Sequence, residues 1–145
     1  MRIHYGVEHV NTHTGLSIHN LMPAIKQHLA QSGIQNGVVT VCSRHTTTAI
    51  TINEDESRLR DDIAAFFAKL VPASDRYLHN DIHLRDCPPD EPENAHSHLI
   101  AMLLGSSESI PLCNGELSLG QWQSVMLLEL DGPRPRTVSI QIIGQ

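Results

Sequence analysis

The chain has no cluster of Lys and Arg, and at a formal net charge of −6 it lacks the basic face that a phosphate backbone needs. No nucleic-acid partner is expected. Its longest apolar stretch, "LIAMLLG", is far too short to span a bilayer, so no membrane partner is expected either. No apolar run follows a basic N-terminal segment, so no signal peptide is read. Cysteine is sparse: Cys42, Cys87 and Cys113 are odd in number, widely spaced and form no CxxC, which argues against a zinc-thiolate cluster and for a reduced, cytoplasmic setting. There is no Gly-rich phosphate loop, no nucleophile elbow and no Cys-His pairing. Aromatics are few, yet histidines number ten.

What is present reads as one α+β domain over residues 1–145. Residues 2–9 alternate Ile3, Tyr5 and Val7 with polar neighbours, the period of a half-buried strand. "NLMPAIKQHLAQSG" predicts a helix with Asn20 at its start, Pro23 in the first turn, Leu21, Ile25, His28 and Leu29 on one face, and Gly33 ending it. Strands follow at 37–43 and 47–53. "DESRLRDDIAAFFAKLVP" predicts a second helix with Leu59, Ile63, Phe66, Phe67 and Leu70 at helical spacing and acids in its first turn. Residues 72–94 form a long loop with four prolines, six acids and two histidines, a kind of segment that is usually functional or disordered. "AHSHLIAMLLG" is a third helix. Strands then come as "SESIPLC", an Asn114-Gly115 turn, "ELSLG", "QWQSVMLLELD", the turn "DGPRPR" and "RTVSIQIIG". The expected fold is a curved, mostly antiparallel sheet with two or three packed helices. Its strand edges point to a homo-oligomer.

The polar residues suggest a site. "SRHTTTAITINEDE" (43–56) crowds hydroxyls and an imidazole onto one strand. His45, His79 and His98 lie on three separate elements, so three neutral imidazoles could converge on a metal with one position open. His96 and His98 would point about 200° apart on a helix, and His98 is the inward candidate. Spacing alone leaves solvated loop histidines as the commoner outcome, and His4, His9, His13, His19 and His28 read as surface or interface. Arg134 and Arg136 taken alone read as solvated arginines of a hairpin turn, yet with Ser43, Thr46 and Thr47 they could offer a phosphate fork donors and hydroxyls. Glu54, Asp55 and Glu56 suit capping of the second helix, and Asn53 and Glu54 could equally face a site. Trp122 reads as core. From the residues alone no reaction follows.

The stretches "SRHTTTAITINEDE", "RYLHND", "AHSHLIAMLLG", "IPLCNGELSLGQWQSVMLLELDGPRPR" and "QIIG" resemble the YjbQ-like proteins, also labelled secondary thiamine-phosphate synthases. The likeness runs from about residue 5 to the end. It implies a homotrimer with sites near subunit boundaries and a divalent metal on His45, His79 and His98. Glu54 and Asp81 would join His45 in catalysis, while Thr46, Thr47, Asn53, Trp122, Gln123 and Arg136 would bind the substrate, with Glu129 completing the signature. The implied activity is a transferase reaction that joins hydroxymethylpyrimidine pyrophosphate to thiazole phosphate and releases pyrophosphate. Three histidines suit zinc; a pyrophosphate substrate would suit magnesium. The alternatives left open are a non-catalytic metal- or small-molecule-binding trimer and a metal-assisted hydrolase. The stretch "HLRDCPPDEPEN" is longer than in short members of the family.

Overall fold

The computed structural model describes all residues, Met1–Gln145. Eight strands, three α-helices and two short 3-10 turns follow in this order: β1 (Arg2–Asn11), β2 (Gly15–Asn20), α1 (Met22–Ser32), β3 (Gly37–Ser43), β4 (Thr48–Asn53), α2 (Ser57–Leu70), the turns Leu78–Asn80 and Ile82–Leu84, α3 (Ala95–Leu104), β5 (Ser107–Cys113), β6 (Glu116–Leu117), β7 (Ser124–Gly132) and β8 (Pro135–Gly144). No helix is long and apolar enough to cross a membrane.

The strands are antiparallel and packed with three helices, as expected of an α+β domain, and their ladders divide into two sheets: five strands in the order β1-β8-β3-β5-β6 and three in the order β2-β7-β4. β7 explains the layering. Its residues Val125 and Leu127 join a core with Val39, Val41, Ile140 and Ile142 of the larger sheet, with Leu21 at the start of α1 and with Ile25 within it. Met126, Leu128 and Leu130 point the other way, into a second core with Phe67 of α2 and Ile100 of α3. Successive strand residues face opposite sides, so the unbroken apolar run "VMLL" marks a strand buried on both faces. Glu129 follows that run directly, and it is fully buried.

Local chemistry sets the ends. The Asn20 side chain accepts the Met22 amide at 2.8 Å at the start of α1. Glu56 caps α2 by accepting the amides of Arg58 and Leu59 at 2.9 and 2.7 Å. The first turn of α2 itself holds no acid, contrary to expectation. Asn114 and Gly115 both adopt positive φ, the pairing that a tight β5–β6 hairpin requires. β6 then stops after two residues, and the chain turns through Gly120–Gln123. Trp122 sits on that turn and is 66% exposed, so its expected core role is not met. Phe66 and Leu70 also face outward, leaving Phe67 to anchor α2.

Three of the connections between the sheets are short and carry no helix: β1 to β2 (residues 11–15), β3 to β4 (43–48) and β7 to β8 (132–135). Thr48 pairs with Glu129, and Ser17 pairs with Glu129 from the other side, so these crossings meet at one end of the small sheet.

Candidate functional site at the seam between the sheets

The seam is organised by an ion pair. Arg136 Nε donates to Glu129 Oε2 at 2.6 Å and its Nη2 to Oε1 at 2.5 Å, a bidentate fork. Glu129 also accepts the Thr12 hydroxyl (2.7 Å) and the Asp131 amide (2.8 Å). Burial alone would raise the Glu129 pKa, but the Arg136 guanidinium and these other donors outweigh it and hold the carboxylate below its ordinary range. Arg136 is 4% exposed, and its Nη2 also donates to Thr47 Oγ1 at 2.8 Å. Its Nη1 makes no bond to the protein and is not sealed off.

Two adjoining hollows open beside this pair and share Arg44, His45, Thr46 and His98; one continues to Ala101, Met102 and Ser106, the other to Asn94, Asp131, Arg134 and Arg136. The chain leaves β3 at Ser43 and turns at Thr46–Thr47 before β4, which lets His45 and Thr46 line one cleft despite being neighbours. Ser43 is buried, with its hydroxyl against that of Thr48, and Thr47 faces Arg136. Thr46 is the threonine of the run left at the mouth. Asn94 of the long loop donates to Asp131 at 2.7 Å, and Arg134 donates to the same oxygen at 3.0 Å.

His98 of α3 reaches the cleft as expected and packs edge-on against His79, with ring centres 4.8 Å apart. His96 lies outside it. Burial, then the neighbouring His79, lowers the His98 pKa, with the Asp131 carboxylate opposing. His45 is lowered by burial and then by Arg136. The expected three-histidine metal centre does not assemble within the subunit: His45 Nε2 accepts the Thr137 amide at 2.8 Å, and no three His, Cys, Asp or Glu side chains converge for an ion.

Other expected site residues lie elsewhere. Asn53 accepts the Glu54 amide at 2.7 Å, and Asn53 pairs with Ser124 at the far end of the small sheet, five strand positions or roughly 17 Å from Thr48. Trp122 and Gln123 precede Ser124 at that same end, and Gln123 lines a groove along α1 with Met22 and Lys26. Glu54 therefore lies away from the seam of its own subunit. Asp81 is paired with Arg76 at 2.7 Å and does not line the cleft. Sequence reading missed Arg44, Asn94 and Asp131. The signal for the seam was the lone Glu in an otherwise apolar strand, followed by the Arg-bearing turn.

Comparison with known proteins agrees with this architecture. A UPF0047 protein of Methanothermobacter thermautotrophicus is 46% identical over 117 residues, covering 81% of this chain and 76% of the relative. One from Synechocystis is 37% identical over 134 residues, covering 90% and 86%. The crystal structure of a YbjQ-like protein of unknown function from Sulfolobus solfataricus superposes with a TM-score of 0.89 at 32% identity, covering 99% of both chains. An uncharacterised YjbQ/UPF0047 protein of Clostridium acetobutylicum gives 0.84 at 33% identity, covering 94% of this chain and 98% of its own. With the family profile described as "UPF0047 protein YjbQ-like" matching residues 7–145, the chain belongs to the YjbQ-like UPF0047 family.

Proposed function

We propose that this protein is an enzyme acting on a small phosphate-bearing substrate at the seam, and that its specific reaction is the transfer joining hydroxymethylpyrimidine pyrophosphate to thiazole phosphate. The observation that carries the reading is Arg136. A guanidinium locked on one edge by Glu129 keeps Nη1 free on the other, beside Thr46, Arg44 and Arg134. That arrangement suits an anion whose charge grows as pyrophosphate leaves. His98, lowered by burial and by His79, is neutral at neutral pH and suits a base. Zinc on three histidines is not part of this reading, because His45 directs its Nε2 at a backbone amide. A divalent ion enters only as the counter-ion of a pyrophosphate substrate, where oxygen ligands favour magnesium.

A homotrimer belongs to the same proposal. β1 is a ten-residue edge strand, and Leu99, Met102 and Leu103 of α3 are exposed. Asn53, Glu54, Trp122 and Gln123 would meet a seam only if a neighbouring copy supplied them. Nucleic acid and membranes have no part in it.

One observation favours a second reading, a non-catalytic phosphate-binding trimer: neither Glu54 nor Asp81 enters the cleft, and Asp131 there is tied to Asn94 and Arg134. Pyrophosphate release from the two substrates, followed with magnesium and with chelator, separates them. Turnover that His98→Ala abolishes supports the enzyme. Binding of both substrates without release supports the second reading.

A further inference from the structure

The seam holds a histidine whose two nitrogens have different tasks. Thr137 lies on β8 one step beyond the last β3 pair, Ser43 with Val138. Its carbonyl still accepts the Arg44 amide at 3.2 Å, so its N–H points to the same side, where β3 has already ended. His45 Nε2 accepts that N–H at 2.8 Å, so the imidazole completes the ladder in place of a missing carbonyl. A flipped ring would set a carbon against the amide, which excludes that orientation.

An amide nitrogen can only donate, so Nε2 must carry its lone pair and no proton. In the neutral ring the proton then sits on Nδ1. That nitrogen bonds to no protein group and is not sealed off, in a residue that lines the cleft with Thr46 and Arg136.

We infer that His45 is fixed as its Nδ1–H tautomer and serves as a neutral hydrogen-bond donor to an acceptor oxygen of the cleft ligand, and that it is neither a metal ligand nor a proton-transfer group. The Nε2 lone pair is committed to Thr137, and Nδ1 holds a hydrogen where a metal would need a lone pair. The ligand half of this inference rests on the phosphate reading above; the tautomer does not. Arg136 Nη1 and His45 Nδ1 then form a charged and an uncharged donor at one anion. The ligand class this selects is a phosphate ester or other oxyanion with two acceptor oxygens.

Long-range proton–nitrogen spectra of the histidine-labelled, full-length protein at neutral pH read the tautomer directly. The expected pattern for His45 is a protonated Nδ1 and a bare Nε2, unchanged when Zn²⁺ is added. A protonated Nε2, or a His45 signal that moves on binding Zn²⁺, overturns the inference. Titration with inorganic phosphate reads the donor. His45→Ala and His45→Gln should each weaken binding about tenfold, since Gln places its amide at the Nε2 position. His45→Asn, whose amide overlies Nδ1, should retain affinity within about threefold, a small fraction of one charged hydrogen bond. The reverse ranking counts against the donor role. Wild-type protein that shows the expected tautomer but ignores phosphate defeats the phosphate reading and leaves the tautomer standing; phosphate binding with the other tautomer defeats this inference alone.

Discussion

Two regions of the molecule gather histidines, and they differ in what they leave over. On the β1–α1 ridge, His28 Nδ1 lies 3.0 Å from His4 Nε2, and its Nε2 faces Glu8 at 3.8 Å. The ring occupies the space above Gly6, where a Cβ would overlap it. Nearby, Arg2 donates to the last carbonyls of α1 at Ser32 and Gly33. Both nitrogens of His28 thus face partners within the ridge. At the seam, His45 and Arg136 also hold distant strands together, but each keeps one nitrogen facing the cleft. Unused hydrogen-bonding capacity, rather than a density of imidazoles, separates a site from a brace.

The largest expected effect breaks the seam. Arg136→Met strands a buried carboxylate and should lower stability by about 3–5 kcal/mol in urea unfolding. A loss below about 1 kcal/mol would mean that Glu129 finds another partner or stays protonated. On the ridge, Gly6→Ala should cost about 1–3 kcal/mol by forcing His28 out of its place. Adding His28→Ala should recover most of that loss; strict additivity of the two would show that they do not meet. Thr46→Val sharpens the contrast from the ligand side. It should weaken phosphate binding by about 1 kcal/mol while stability stays within about 0.5 kcal/mol. Unchanged affinity with an intact fold would assign that hydroxyl to solvent.

The smallest effect is in pH. The pKa values of His19, His45 and His98 are lowered in the fold, first by burial in each case, so the unfolded chain binds more protons as pH falls through the usual imidazole value near 6.5. Their contribution to stability is complete above that value and is lost as pH drops toward their lower folded values. Glu129 acts further down: its contribution holds above the ordinary carboxylate range and is lost below it. Thermal midpoints at pH 7 and pH 5.5 should therefore differ, with the lower pH less stable. A flat profile would place these histidines in contact with water.

The fold was legible where chemistry is local. Gly33, Pro72 and the Asn114-Gly115 turn punctuate the chain as propensity expects, and the period of α2 was clear although Phe66 faces outward. β2 escaped notice because the alternation of Leu16 and Ile18 with Ser17 and His19 lasts only four residues before the start of the helix. The division into two sheets was invisible because it depends on which strands pair, and no local pattern records that. At the site, His45 and Thr46 were readable from the hydroxyl-rich run at a strand end, His98 from its place before an apolar helical run, and Arg136 from the turn "DGPRPR". The partner of His45 was not, since Thr137 lies 92 positions away. Trp122 was misread because large aromatics are mostly buried on average, and a two-residue β6 gave it nothing to pack under.

The meeting of three crossings at one end also constrains the order of assembly. Thr12 and Glu129 stand 117 positions apart, and Arg136 and Thr47 stand 89 apart. A chain emerging from the ribosome can form α1 and α2 early, yet β3 and β4 must wait for β5, β7 and β8, and the seam cannot close until β8 has been made. Such distant pairings carry a loop-closure cost that slows folding. Ligand affinity at the seam should therefore appear late in refolding, after helical signal, making the cleft a reporter of completed folding.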